Sequence, residues 1–264
     1  MATHIQSHPP REGWEWLMKG IQLFKKKPGE MFLLGNSYLF VVLLFSLLIP
    51  HLGPVLVTLV TPGLGAGIFI AGKVALSGLR ATPVLLFAGF LQNDKKHLQP
   101  LLVLGAMYSV CFALIKLVAF LALGAEPTQA LTPADIEAGK IPEEAMEYMI
   151  AYSAIAGVLS VPVLLCFWFA PALIVWHDMS APKALFASAV ASWRNKGAFI
   201  IYGMGWLMIS LSFSAFIMFV LGAIGIPASI LGALNLMTVA VVMAVSLCSF
   251  YPSYQAVFEA DVVA

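Results

Sequence analysis

The chain has 264 residues, of which 61% are hydrophobic and only 10% are charged, and its formal net charge is +1. Soluble domains carry roughly 25% charged residues, so this composition excludes a chain whose surface is covered mainly by water. The apolar runs are continuous rather than alternating, which favours membrane-spanning helices over a membrane β-barrel.

Residues 1–12 are polar and are predicted to be disordered, and 13–264 are predicted to form one six-helix membrane domain. No cleaved signal peptide is recognised in the polar N-terminal segment. Apolar side chains recur at helical spacing from Gly13 to Phe24, which predicts a short amphipathic helix at the lipid headgroups. The alternative is a helix packed on the protein's own cytoplasmic face.

Six apolar runs are long enough to span a bilayer. Uncharged turns at 50–54 and 222–228 and an acidic segment at 125–147 join them as hairpins. The predicted fold is therefore all-α: a polytopic membrane protein of three helical hairpins with short interfacial amphipathic helices. The predicted spans are Met31–Ile49, Val55–Leu79, Leu101–Leu123, Tyr148–Trp176, Ala198–Leu221 and Ser229–Phe258. The fourth is long enough to tilt or to kink at Pro162 and Pro171.

One sequence unit occurs three times. It consists of a short amphipathic stretch, a basic cluster and a long apolar run, and its clearest copies begin at Pro83 and Pro182, with a weaker one at Leu23. In the acidic segment, prolines followed by acidic residues predict two short helices on the far side of the membrane.

Eleven of the 14 Lys and Arg residues lie on the face that holds the termini and the connectors between hairpins. Positively charged loops stay in the cytoplasm, which predicts that both termini are cytoplasmic and that the acidic segment 125–147 is outside. Anionic headgroups are expected on this face, where each nearby charge contributes on the order of 1 kcal/mol. The candidate contacts are Trp14, Trp16, Lys25, Lys26, Lys27, Lys95, Lys96, Arg194 and Lys196.

Two lysines, Lys73 and Lys116, fall within predicted spans, where a charge costs a few kcal/mol. Each is interpreted as snorkelling or pairing, Lys116 with Glu126 or Glu147. The alternative is that both line a polar cavity. Further candidates for such a cavity, which alternatively bond neighbouring helices, are Asn36, Ser37, Tyr108, Ser109, Tyr202 and Asn235.

Small residues in the second span, Gly63, Gly67, Ala71 and Ala75, repeat at four-residue intervals on one helix face. Such a stripe allows backbones to approach closely. Packing within the chain is the first interpretation, and the seam of a homo-oligomer is the alternative.

Residues that usually carry chemistry are sparse. No Walker loop, HExxH, GxSxG, paired-cysteine or dinucleotide motif is present. Cys111, Cys166 and Cys248 lie in separate apolar runs without metal spacing. His177-Asp178 is interpreted as the capped or solvated end of a helix, with an acid/base pair as the alternative. We therefore predict no catalytic residue, cofactor, metal or nucleic-acid partner, and expect the protein not to be an enzyme.

The pattern Gly13-x-x-Trp16, Gly20-x-x-Leu23-Phe24-basic-x-x-Pro28, with Pro182, Ser188 and Asn195 later, resembles an uncharacterised group of proteobacterial six-helix inner-membrane proteins. More loosely, it is similar to the membrane domains attached to glycerophosphodiester phosphodiesterases, whose catalytic domain is absent here. The resemblance implies the fold and membrane but no activity.

Two functions are compatible with these features. The first is a non-enzymatic scaffold or accessory component of an envelope assembly, with a protein partner in the envelope. The alternative is a transporter or a protein that binds a lipid or small solute in a cavity between the three hairpins.

Overall fold

The computed structural model describes residues 5–49, 52–124 and 142–259, which fold as helices without a β-strand. Six helical segments in these ranges are long and apolar enough to cross a membrane, so the predicted all-α polytopic fold is confirmed. In chain order the helices are α1 (Glu12–Lys26), α2 (Pro28–Leu48), α3 (Gly53–Leu76), α4 (Ala88–Leu91), α5 (Leu98–Leu123), α6 (Glu143–Phe167), α7 (Ala170–His177), α8 (Ala181–Arg194), α9 (Lys196–Phe216), α10 (Ala228–Leu247) and α11 (Phe250–Phe258).

The membrane helices pair as three hairpins, α2 with α3, α5 with α6, and α9 with α10. The side of the bundle that holds the links within hairpins is called the hairpin face. The opposite side, called the connector face, holds α1, α8, α7, α11 and a segment at 83–95 in which two 3-10 turns flank α4. Large apolar side chains are exposed on the outside of the spans, as contact with lipid requires; Leu47 is 75% exposed and Phe219 is 81% exposed.

The fourth and sixth spans are each interrupted near the connector face. A break separates α6 from α7 and another separates α10 from α11, and each new helix carries a proline in its first turn, Pro171 and Pro252. Proline lacks the N–H that would continue the preceding helix, so it fits the start of a new one. The predicted kink therefore falls at Pro171, whereas Pro162 stays inside α6. The fifth span ends in a π-helical turn, Ile217–Leu221.

The three hairpins are related by a cyclic packing pattern on the connector face. The segment at 83–95 precedes the second hairpin and packs on α3 of the first, while α8 precedes the third hairpin and packs on α6 and α7 of the second. Helix α1, which precedes the first hairpin, packs on α9, α10 and α11 of the third. Each lead-in segment thus covers the hairpin before it, and α1 closes the cycle.

Between the membrane helices only two of the three seams of this cycle are packed. Helix α3 contacts α5, and α10 contacts α2. A methyl group added at Gly105 would lie 1.8 Å from the Leu59 carbonyl oxygen, and one added at Gly35 would lie 2.7 Å from Ala244 Cβ. At the third seam α6 and α9, both within the described residues, have no comparable packing, and a methyl group at Gly203 would meet nothing within 4 Å. This seam is called the open seam.

The N-terminal segment differs from its prediction of disorder over residues 1–12. Residues 5–11 lie along the connector face, where Asn195 Oδ1 accepts a hydrogen bond from the His8 backbone N–H at 2.9 Å and the Asn195 amide donates to the Gln6 carbonyl at 2.9 Å. The backbone of this segment thus satisfies the fully buried amide of Asn195, which holds residues 5–11 in place despite their polar composition.

The acidic segment is described only in part. Residues 1–4 and 125–141 lie outside the described residues, so the short helix predicted at Pro133 stays a prediction. The short helix predicted at Pro142 is not a separate element, because the chain from Glu143 belongs to α6. Glu143, Glu144 and Glu147, assigned to the loop from the sequence, belong to the first turns of α6. Acidic side chains at a helix N-terminus interact favourably with the helix dipole, which explains the difference.

Candidate functional site

A cavity of about 330 Å³, called the central cavity, lies between the three hairpins. It is lined by α2, α3, α5, α6 and α10, and its wall is mostly apolar and aromatic. The rings of Phe69, Trp168 and Phe250 close it toward the connector face, with the Trp168 and Phe250 centroids 4.6 Å apart. The polar groups along its wall are the hydroxyls of Tyr38, Thr61, Tyr108 and Ser246.

A second cavity of about 300 Å³, called the outer pocket, lies nearer the hairpin face between α3 and α5. Tyr108 and Phe112 are four residues apart and in ring contact at 4.6 Å; Tyr108 lines the central cavity, and Phe112 lines the outer pocket. On α3, Thr58 of the outer pocket and Thr61 of the central cavity are three residues apart. Such intervals place side chains on one helix face, so the two cavities are neighbours along α3 and α5, with the Tyr108 and Phe112 rings between them. The outer pocket is open to the outside of the bundle, where Lys116 is exposed. Together they are called the central groove.

A third cavity, of about 290 Å³, lies between α9 and α10 and is lined in part by Ser210, Ser214 and Thr238. It shares Met243 and Ser246 with the central cavity. The two cavities are therefore adjacent along α10, and the third one lies beside α9, which borders the open seam.

The two lysines predicted within spans lie at opposite ends of the bundle. Lys73 is in the last turn of α3 at the connector face, where its Nζ is 3.4 Å from Glu259 Oε1 and 5.0 Å from the centroid of the Trp176 ring. Lys116 lies in the hairpin-face half of α5 and lines the outer pocket. The two residues therefore form no joint site: Lys73 is paired at the surface, and Lys116 lines a cavity.

The predicted partners of Lys116 are only partly described. No salt bridge joins it to Glu147, and Glu126 lies outside the described residues. The other polar residues that line the outer pocket are Thr58 and Ser109, whose hydroxyl oxygens are 2.9 Å apart.

Most of the residues predicted to contact headgroups are exposed on the connector face: Trp14, Lys25, Lys26, Lys95, Lys96, Arg194 and Lys196. Lys27 is partly buried instead, and it donates to the Gly78 carbonyl at 2.9 Å. Trp16 is fully buried, with its ring centroid 5.4 Å from that of Phe199, so its assignment to headgroups is wrong. The apolar face of α1 packs on α9, which is the alternative considered from the sequence.

A charged cluster joins two connectors on the same face. The Asp178 carboxylate is 2.8 Å from Lys96 Nζ and 2.8 Å from His97 Nε2, and its backbone adopts a left-handed conformation after the end of α7. The hydrogen bond from Lys96, followed by that from His97, lowers the pKa of Asp178. The cluster ties the start of α5 to the end of α7.

The chain is 35% identical over 252 residues to a protein of Burkholderia thailandensis named as a probable inner membrane protein, and the match covers 94% of this chain and 91% of that protein. The chain belongs to the family of that inner membrane protein. Its six membrane-capable helices agree with this, so the protein is an integral, multi-pass inner-membrane protein. No protein-family model matches the chain, and no solved structure matches it significantly. The looser similarity to membrane domains of glycerophosphodiester phosphodiesterases is not shown.

In this inner-membrane protein the stripe of small residues contacts the chain itself. A methyl group at Gly63 would lie 1.8 Å from the Phe90 ring, and one at Gly67 would lie 2.2 Å from the Leu86 carbonyl oxygen. Ala71 and Ala75 are buried in the same core. The segment at 83–95 therefore covers the first part of the stripe and leaves no surface there for a second copy.

Sequence reasoning considered Tyr108 and Ser109 as cavity residues but missed Tyr38, Thr61 and Ser246. A signal was present for Tyr38, because Leu34-Gly35-x-x-Tyr38 and Leu104-Gly105-x-x-Tyr108 share one spacing, as does Tyr202-Gly203-x-x-Trp206. Aligning the first helices of the hairpins on this glycine would have placed the three aromatic side chains at equivalent positions. Thr61 and Ser246 carry no comparable signal.

Proposed function

We propose that this inner-membrane protein binds a hydrophobic or amphipathic molecule from the membrane in its central groove, and that the molecule reaches the groove through the open seam. The observation that carries the proposal is the central cavity between three hairpins, beside a seam that the cyclic arrangement leaves unpacked. Its volume, about 330 Å³, falls within the range of small-molecule sites.

The chemistry of the wall favours an amphipathic ligand over a water-soluble solute. Apolar side chains dominate, so an acyl chain fits without burying a polar group unpaired. Lipid tails are as apolar as the groove, however, so transfer of a chain from the bilayer gains little by itself. Selectivity must come from the few polar groups, which include the hydroxyls of Tyr38, Thr61 and Tyr108.

Gly65 offers a test, because it lines the central cavity and a methyl group there would meet only Pro171 Cγ, at 3.9 Å. We expect Gly65→Phe to fill the cavity without disturbing the fold and to reduce labelling by a photoreactive fatty acid severalfold. The matched control is Gly29→Phe, at an exposed position on the connector face with open space around it. Labelling is measured on the purified full chain by peptide mass spectrometry. Equal labelling of both variants would contradict the proposal.

We also propose that the connector face is cytoplasmic. Exposed lysines at Lys25, Lys26 and Lys95 support this orientation through the positive-inside rule. In intact spheroplasts, an impermeant maleimide should label a cysteine replacing the exposed Glu144 on the hairpin face and spare one replacing the exposed Lys183 on the connector face. The reverse pattern would overturn the orientation.

A scaffold or accessory role in an envelope assembly is the second proposal, supported by the exposed basic surface of the connector face. Neither proposal includes a catalytic step. If a protein partner docks on this surface, crosslinking followed by affinity purification should recover it from the native chain and lose it from a Lys25→Glu, Lys26→Glu variant. Recovery of the same partner from both would exclude this surface.

A further inference from the structure

We infer that the ligand of the central groove is a single-chain anionic amphiphile, whose headgroup binds Lys116 in the outer pocket and whose chain extends into the central cavity. The inference rests on the proposed function and specifies the chemical class of its ligand. It starts from the one cationic side chain that lines either part of the groove among the described residues.

The position of Lys116 favours a negative partner, although the side chain itself is exposed at the edge of the outer pocket. It lies seven residues before Leu123, the end of α5, which is roughly 10 Å of helix, so the ammonium group starts well inside the apolar half of the span. A charge at such depth costs a few kcal/mol unless it is paired or reaches water. The hydroxyls of Thr58 and Ser109 provide polar surroundings, but no carboxylate among the described residues pairs with Lys116.

The geometry of the groove gives the direction of the chain. Tyr108, on the wall of the central cavity, is eight residues from Lys116 on the same face of α5, which is roughly 12 Å along the helix. A headgroup at Lys116 therefore places its chain past the ring of Phe112 and toward the rings of Phe69 and Phe250.

The class of ligand is inferred from the volume of the central cavity and from the single positive charge of Lys116. A cavity of about 330 Å³ is at the small end of ligand sites, which suits one chain better than two. One ammonium group matches one negative charge, and a charge-assisted hydrogen bond is stronger than a neutral one. A carboxylate on one acyl chain meets both conditions.

The test compares three photoreactive probes on the purified full chain in neutral detergent: a fatty acid, the fatty alcohol of the same length, and a phosphatidylglycerol that carries the same reactive group. We expect the native chain to be labelled about tenfold more by the fatty acid than by the alcohol, the ratio expected for one charge-assisted bond. Lys116→Gln should abolish this ratio, and Lys116→Arg should retain it. In every variant thermal unfolding verifies that the fold is intact.

The outcomes separate the inference from the proposed function. If Gly65→Phe loses labelling by all probes while Lys116→Gln leaves the ratio of acid to alcohol unchanged, the groove binds lipid and the inference about its charge is wrong. Stronger labelling by phosphatidylglycerol than by the fatty acid would also overturn it. If Gly65→Phe is labelled like the native chain by every probe, the proposed function itself fails.

Discussion

Asn195 fixes a chain segment that its composition alone would leave unstructured. The side chain is completely buried between α8 and α9 and bonds to the backbone of Gln6, His8 and Ala191. Removing one partner of a buried hydrogen bond leaves the other unsatisfied, which costs more than the bond itself contributes.

We predict that Asn195→Ala lowers the free energy of unfolding by about 1–3 kcal/mol. It should also increase hydrogen exchange at residues 5–11, which mass spectrometry measures by peptide. The control is Asn36→Ala, whose amide donates only to the Phe32 carbonyl of its own helix and should change stability by less than about 0.5 kcal/mol. Unchanged exchange at 5–11 in the Asn195 variant would contradict this account of the segment.

Gly67 provides a second prediction at this scale. Its missing side chain lets the Leu86 carbonyl approach α3, so Gly67→Ala should cost about 1–3 kcal/mol through overpacking. Gly157→Ala, where a methyl group would meet nothing within 4 Å, should be neutral or slightly stabilising. Thermal unfolding in detergent checks both, and equal stability of the two variants would show that the approach at Gly67 is not restrictive.

The Asp178 cluster acts between elements, because its three side chains come from the start of α5 and the end of α7. Lys96 and His97 lower the pKa of Asp178, so the folded state binds this proton less well than the unfolded state. The stabilisation is therefore present at neutral pH and is lost as the pH falls through the lowered pKa, below the usual range for aspartate.

We expect the native chain to lose thermal stability below about pH 4 relative to Asp178→Asn, which should be less stable than the native chain at pH 7. The two melting temperatures should converge in acid. The effect is small because the carboxylate is largely exposed and solvent weakens the pair. A constant difference between the two proteins from pH 7 to pH 3 would be inconsistent with the cluster.

The seams between hairpins can be compared by disulfide formation in a variant whose three native cysteines are replaced by alanine. Thr58→Cys with Ser109→Cys, at the packed seam where the hydroxyl oxygens are 2.9 Å apart, should crosslink readily under mild oxidation. Val163→Cys with Gly203→Cys, at the open seam, should remain reduced. Gel mobility after proteolysis distinguishes the two states, and efficient crosslinking of the second pair would mean that α6 and α9 pack together.

The sequence predicts the individual helices better than it predicts which helices pack against each other. Span length is a local signal, so six crossings follow from it, and the prolines give two candidate positions for a kink, Pro162 and Pro171, between which the sequence does not choose. The burial of Trp16 does not follow from the sequence, because an aromatic residue at this depth fits equally well against headgroups or against α9. The open seam is also hidden, because Gly203 has the same local pattern as Gly35 and Gly105, and only the partner helix differs.

At the scale of the whole molecule, the three hairpins form an arc whose ends, α6 and α9, are not packed along the membrane layer. They meet at the connector face, where Trp168 contacts the rings of Phe199 and Tyr202. The lead-in segments complete the cycle on the connector face, so this face is tightly packed while the membrane layer stays open on one side. The rings of Phe69, Trp168 and Phe250 separate the central cavity from this packed layer. Because the central cavity is closed toward the connector face and lies beside the open seam, it suits a site that exchanges molecules with the bilayer rather than with the connector face.

A density map of the full chain in lipid nanodiscs would test this account most directly. We predict elongated density in the central groove, passing Tyr108 toward Phe69, with α6 and α9 apart at the open seam. An α6 helix packed against Gly203, with no density beyond side chains between the hairpins, would contradict the account.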